Sequence, residues 1–213
     1  MPQLTLYHCP GACSSVSVCA LEQTGLPYDL KLVNLPKGEQ SSPAYLAVSP
    51  LGKVPTLLID GEVLTENAAI LVYLDALKPE AGLFPANRSP RMLAEVQSGL
   101  SFCGGTLHPQ IRGFANPQRM TTGALEPVRE KSIELIHKSF TYADARFAER
   151  GWWVGEESIV DVYVNWAFSV ARRSGFDVAA YPHLCGLAER LSARPAFVRL
   201  LAIEAESRSA LGF

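Results

Sequence analysis

Gln3-Leu4-Thr5-Leu6-Tyr7-His8, then Cys9, then Pro10-Gly11-Ala12-Cys13-Ser14-Ser15: this stretch decides how the rest of the chain is read. Leu4 and Leu6 fall on one face at period two, which is a strand. Pro10-Gly11 breaks it. Val16, Cys19 and Ala20 then recur at i, i+3 and i+4, so a helix begins near Ser14 and stops at Gly25 and Pro27. A cysteine between a strand end and a helix start lies where backbone N–H groups and the helix dipole favour an anion. A thiol placed there has a lowered pKa, and the thiolate is its reactive form. Two readings of the segment remain open. Cys13 and Ser14 are a reactive pair, or Cys13 is a small buried residue and Ser14 a simple N-cap. Cys9 is separated from Cys13 by three residues rather than the two of a redox pair. His8, Cys9 and Cys13 lack a fourth ligand at metal-binding spacing, so no metal site is expected.

Working outward, Tyr28-Asp29-Leu30-Lys31-Leu32 alternates again as a second strand. A Pro-, Gly- and Ser-rich loop runs over 36–50, with a short helix near 44–47. Thr56-Leu57-Leu58-Ile59 is a third strand and Val63-Leu64 a fourth, joined by Asp60-Gly61, a pair that tolerates positive φ at both turn positions. Ile70, Leu71, Leu74 and Leu77 mark a helix from about Asn67. The order β-α-β, loop, β-β-α ends at Pro79. Residues 80–90 are rich in proline and suit a linker. Beyond it no strand pattern appears. Ser89-Pro90 reads as N-cap and N1 of a helix carrying Leu93, Val96 and Leu100. Val128 to Phe147 marks a second long helix. Ser158-x-x-Asp161 resembles a capping box before Ile159, Val162, Tyr163, Trp166 and Val170. Two shorter helices cover 181–193 and 195–205. The expectation is an α/β half over 1–79 and an all-α half over 91–213.

With 19 basic and 21 acidic residues the net charge is −2, which gives no footprint for nucleic acid or an anionic membrane. No apolar run approaches the roughly 20 residues that span a bilayer. The N-terminus lacks a signal-peptide pattern. Five cysteines, three within the first twenty residues, do not form a secreted disulfide framework, so a cytoplasmic location is expected.

Two further motifs carry chemistry. Val54-Pro55 precedes the third strand, and a cis bond there would turn the Val54 backbone toward a peptide-like ligand; an ordinary trans proline is the alternative. Thr65-Glu66-Asn67 lies at a helix entrance. It reads either as plain capping or as a seat for a ligand carboxylate, with Asn67 as donor and Glu66 facing an ammonium.

Taken in order, these segments resemble the cytosolic glutathione transferases, and nearly the whole chain is covered. Pro10 to Ser14 is similar to the bacterial beta class. Ser49-Pro50-Leu51-Gly52-Lys53-Val54-Pro55 resembles the family's Asn-Pro-x-Gly-x-Val-Pro, and Leu64 to Ile70 its Leu-x-Glu-Ser-x-Ala-Ile. The resemblance implies a thioredoxin-like glutathione-binding domain, then a helical domain that contributes the electrophile pocket. It implies glutathione as co-substrate, a small hydrophobic electrophile, detoxification chemistry and a homodimer. Cys13, Ser14 and His108 would be catalytic. Val54 and cis Pro55 would hold the cysteinyl part of glutathione, Glu66 and Asn67 the γ-glutamyl end, and Lys37 and Lys53 the glycyl carboxylate. His8, Phe102, Ile111, Phe114, Met120 and Trp166 are expected to line the pocket. Alternatives on the same fold are a thiol transferase or reductive lyase using Cys13, and a binding protein without turnover. Gly155-Glu156-Glu157 is one residue shorter than the family's Gly-Asp-x-Leu, and the apolar staple is missing. A weaker or rearranged cap is therefore expected at Ser158.

Overall fold

The computed structural model describes residues 1–213. Its first compact unit comprises 1–83 together with 193–213. Four strands, β1 (Leu4–His8), β2 (Asp29–Leu32), β3 (Thr56–Ile59) and β4 (Glu62–Thr65), form one sheet in the order β2-β1-β3-β4. β1 and β2 are parallel; β3 runs antiparallel to both β1 and β4. Leu6 is the register centre, opposite Leu30 on one side and Leu57 on the other. The β3–β4 hairpin closes through Asp60 at φ 52° and Gly61 at φ 89°, the doubly positive turn that Asp-Gly favours.

Helices α1 (Ser14–Thr24), α2 (Pro43–Leu46) and α3 (Asn67–Leu77) alternate with these strands, and the last helix of the chain also belongs to this unit. Leu4, Leu6 and Leu57 from the sheet are buried, as are Val16, Ala20, Ile70, Leu71 and Leu74 from α1 and α3. A second apolar cluster gathers Cys9, Val33, Tyr45 and Val54, with Tyr7 and Ala12 packed against it. This is the expected thioredoxin-like sheet with its helices.

The second compact unit spans 84–192 and is all helical: α4 (Pro90–Ser101), α5 (His108–Ala115), α6 (Glu126–Arg150), α7 (Ile159–Arg173) and α8 (Pro182–Ser192). A π-helical segment, Phe102–Leu107, joins α4 to α5, and the His108 N–H reaches Cys103 C=O five residues back. Helix α7 is buried along most of its length, as a central core helix must be. Phe140 lies among Phe168, Phe176 and Tyr181 at ring separations of 5.6, 5.6 and 5.4 Å.

Two boundaries differ from expectation. The units divide after Leu83, not across an 80–90 linker. More consequentially, α9 (Pro195–Leu211) rejoins the first unit, because it packs along α1. The cap at Ser158 is not weakened: the capping box of Ser158 and Asp161 forms in both directions. The Asp161 carboxylate accepts from the Ser158 N–H at 2.7 Å and from the Trp153 N–H at 2.8 Å. A backbone donor from the preceding loop does the work that the shortened entry segment cannot.

Candidate functional site

Cys13 is the residue on which the first unit's motifs converge. It stands at the entrance of α1, where its side chain makes no capping bond. Its thiol instead approaches Val54 C=O at 3.4 Å, and its own C=O accepts from the Asn67 amide at 2.9 Å. Two segments, 41 and 54 positions further along the chain, are thus tied to one residue. The Val54–Pro55 bond is cis, as expected. The loop ahead of it is pinned through Lys53 C=O, which accepts from Tyr45 Oη at 2.7 Å, Thr56 Oγ1 at 3.1 Å and Ser49 Oγ at 3.2 Å. The Ser at position 49 therefore serves the loop from inside; it is fully buried.

The entrance of α3 is built differently from a simple cap. Glu66 has φ 70°, a conformation that costs a non-glycine residue about 1–3 kcal/mol and persists only where neighbours impose it. Its side chain is exposed and makes no capping bond. The first intrahelical bond runs from Ile70 N–H to Glu66 C=O, so the N–H groups of residues 67–69 lie at an anion-favouring helix start. The Asn67 side chain was expected to face the ligand. It is buried instead, donating to Cys13 C=O and accepting from Ser17 Oγ at 2.6 Å. Lys37 and Lys53 are both exposed.

Ser14 and His8 need correction. Ser14 is fully buried, with its hydroxyl 2.8 Å from His8 Nδ1 and accepting from the Cys9 N–H at 3.2 Å. It braces the turn from within and does not face a ligand. His8 does not line a pocket: it is fully buried, sharing the inward face of β1 with Leu4 and Leu6. Burial, with Arg208 nearby, pushes its pKa down to about 4, so the ring is neutral at pH 7. Its Nε2 lies 3.5 Å from Glu204 Oε1. That Nε2 makes no hydrogen bond, so the ring is tied through Nδ1 and the Ser14 hydroxyl alone. Glu204 accepts from the Gly11 N–H at 2.6 Å and from the Ser15 hydroxyl. No motif pointed to Glu204, because its partners lie almost two hundred positions away.

In the second unit, His108 and Trp166 are brought together, their rings 4.8 Å apart edge to face, with Tyr163 beside Trp166 at 5.8 Å. His108 and Trp166 are half-buried. The other expected pocket residues do not join them. Ile111 is core, and so is Phe114, which packs on Phe176. Phe102 stacks on Trp153 at 5.1 Å. Met120 is exposed. No group of three or more His, Cys, Asp or Glu side chains is arranged to hold a metal ion.

Comparison with known proteins agrees with this geometry. Residues 12–77 match the glutathione S-transferase N-terminal domain and residues 106–195 the C-terminal domain. A glutathione S-transferase of Xanthomonas campestris pv. campestris is 30% identical over 211 residues, covering 98% of this chain and 97% of the relative. A maleylacetoacetate isomerase of Pseudomonas aeruginosa is 31% identical over 183 residues, 84% of this chain and 85% of the relative. Among solved structures, a glutathione transferase homolog from Sulfitobacter with bound glutathione superposes with a TM-score of 0.86 at 29% identity, covering 95% of this chain and 98% of that one. A bacterial beta-class enzyme of Sphingomonas chungbukensis gives a TM-score of 0.83 at 30% identity, covering 94% and 98%. Agreement over the full length of both chains, in sequence and in fold, leads to one conclusion: the chain belongs to the glutathione S-transferase family of enzymes.

Proposed function

We propose that this protein binds glutathione along the Cys13, Val54–Pro55 and Glu66–Asn67 segments and activates its thiol for attack on a small hydrophobic electrophile. The observation that carries this reading is Cys13 itself, tied at once to Val54 C=O and to the Asn67 side chain. In this reading the Val54 backbone pairs with the cysteinyl residue of glutathione. The 67–69 N–H groups and the exposed Glu66 take the carboxylate and ammonium of the γ-glutamyl end. Lys37 and Lys53 serve the glycyl carboxylate. The bound glutathione in the Sulfitobacter homolog supports the ligand class. Lowering a thiol pKa by about two units from its usual 8.5 or so stabilises the thiolate by roughly 2.7 kcal/mol. The α1 entrance and the Cys13 thiol are the sources proposed here; Ser14, buried, acts by holding Cys9 and His8. His108 and Trp166 are the proposed contacts for the second substrate.

A second reading is favoured by the chemistry of the residue at the α1 entrance. Cys13, not Ser14, is the group left near Val54, and a cysteine thiolate can attack a glutathionyl disulfide or thioether, displacing its other half with the electron pair and leaving a mixed disulfide with glutathione, as a thiol transferase or reductive lyase does. Wild type, Cys13→Ala and Ser14→Ala are to be compared in glutathione affinity, conjugation of an aryl halide, reduction of a glutathione mixed disulfide, and isomerisation of maleylacetoacetate. Conjugation by wild type that Cys13→Ala reduces tenfold or more supports the transferase. Loss of disulfide reduction alone in Cys13→Ala moves the assignment to thiol transfer. Turnover of maleylacetoacetate alone would align the chain with its isomerase relative, and wild type that does not bind glutathione would sink all three.

A further inference from the structure

Helix α1 lacks its own electrostatic complements. It has no acidic residue in its first turn and no basic residue in its last, and Cys13 does not cap it. Both complements come from α9. At the C-terminal end of α1, Arg199 Nη2 donates to Glu22 C=O at 2.6 Å, while Nε pairs with the Glu22 carboxylate at 2.7 Å. At the N-terminal end the Glu204 carboxylate receives the Gly11 N–H on one oxygen and the Ser15 hydroxyl on the other. These partners lie two residues before and two residues after Cys13. The Glu204 side chain is 13% exposed, so its charge is poorly screened.

We infer that Glu204, delivered by the last helix, is a positioning residue of the thiol site: it holds the 10–15 turn in shape and places a negative charge against which the thiolate must form. The inference rests on the function proposed above only in taking the Cys13 turn as the glutathione thiol's seat. Gly11 has φ 78°, so the turn depends on external ties as well as on its own backbone. A carboxylate at the positive end of α1 offsets part of the helix dipole. A like charge near a thiol disfavours the thiolate. The ionisable groups around the carboxylate are His8 on β1, neutral at pH 7, and Arg208 one turn further along α9 with Nη2 3.8 Å away; Cys9 and Cys13 flank the tied Gly11 two positions to either side. Arg208, its side chain 44% exposed, relieves the negative charge only in part.

The test uses the whole protein. Cys13 alkylation by iodoacetamide is followed against pH, with the site read by peptide mass, in wild type, Glu204→Gln, Glu204→Ala and Arg208→Gln. Glutathione affinity is measured on the same proteins. Glu204→Gln should move the alkylation midpoint toward acid by about half a unit or more, the sense expected for removing one like charge near a thiol. Arg208→Gln should move it the opposite way and by less. Glu204→Ala, which also removes the hydrogen-bond acceptors, should weaken glutathione binding about tenfold or more, with Gln restoring part of the loss. An unchanged midpoint in Glu204→Gln, or shifts of the same sign in the Gln variants of Glu204 and Arg208, overturns the inference. The midpoints are read without glutathione, so a wild type that fails to bind it would refute the proposed function and leave the role of Glu204 to be decided by alkylation.

Discussion

Two helix entrances in this molecule solve the same problem by opposite means. At α7 the carboxylate that satisfies the entering backbone is Asp161, three residues from the Ser158 it caps. At α1 it is Glu204, 193 positions from the Gly11 N–H it accepts. Asp161 is fully buried and the Glu204 side chain is 13% exposed; each receives a backbone N–H, and each fixes a turn. The local solution serves a helix buried in a core. The remote one serves the helix that begins at the proposed thiol site, where any acidic residue in the first turn would crowd the place an anion is to occupy. A carboxylate brought in from a distant helix holds the turn while leaving residues 12–14 free to be small.

The comparison can be broken by removing the local carboxylate. Asp161→Ala leaves the Ser158 and Trp153 N–H groups buried without their acceptor, at about 1–3 kcal/mol each. A loss of about 3 kcal/mol or more is expected in urea unfolding; a loss below about 1 kcal/mol would mean the box is not what organises this entrance. Tight packing there predicts the next effect. A Cβ on Gly99 would come within 2.5 Å of Trp153 Nε1 and 2.6 Å of Val160 Cγ1. Gly99→Ala should therefore cost about 1–3 kcal/mol by overpacking, readable as a lowered Tm.

Acidity sharpens the contrast, because the two entrances respond to it with opposite sign. Burial raises the Asp161 pKa from 3.8 to about 6, with the hydrogen bonds from Trp153 and Ser158 opposing. Between about pH 4 and 6 the folded state then binds more protons than the unfolded one, and stability from this group falls as pH rises. His8 is lowered from 6.5 to about 4, so the unfolded state binds more protons between these values, and stability from this group rises with pH. Urea midpoints across pH 4–7 should show a steeper net rise in Asp161→Asn and a flatter one in His8→Gln. Identical profiles in both variants would remove the contrast. The smallest effect is expected at the far end of α1. Arg199→Ala breaks a half-exposed pair and one carbonyl contact, costing about 0.5–1 kcal/mol, without altering Cys13 alkylation.

Legibility in the sequence followed the same divide between local and remote. The strands, the Asp60–Gly61 turn, the Ser89–Pro90 helix start and the Ser158–Asp161 box are all set by residues within a few positions of one another, and each appeared where the pattern put it. Nothing local marks Phe102 to Ala115 as continuous helix, since Gly104-Gly105 and Pro109 are breakers by local rules. Packing with α7 and α6 overrides them, and π-type bonding absorbs the mismatch. His8 was misassigned although the period-two face it shares with Leu4 and Leu6 marks it as inward. Nothing local could have marked Glu204, or the turning of Asn67 away from solvent onto Cys13, since both depend on which helices meet.

The return of α9 to the first unit also sets an order in time. The Cys13 turn leaves the ribosome well ahead of its Glu204 partner, which follows only after all of 84–192 has been made. At roughly 5–20 residues per second, the turn waits on the order of ten seconds or more for its carboxylate. During that interval the nascent chain carries the cysteine without the tie that shapes its surroundings. On the proposed reading, chemical competence at Cys13 thus becomes a late event in synthesis, and a ribosome stalled before α9 would hold the Cys13 turn without its Glu204 tie.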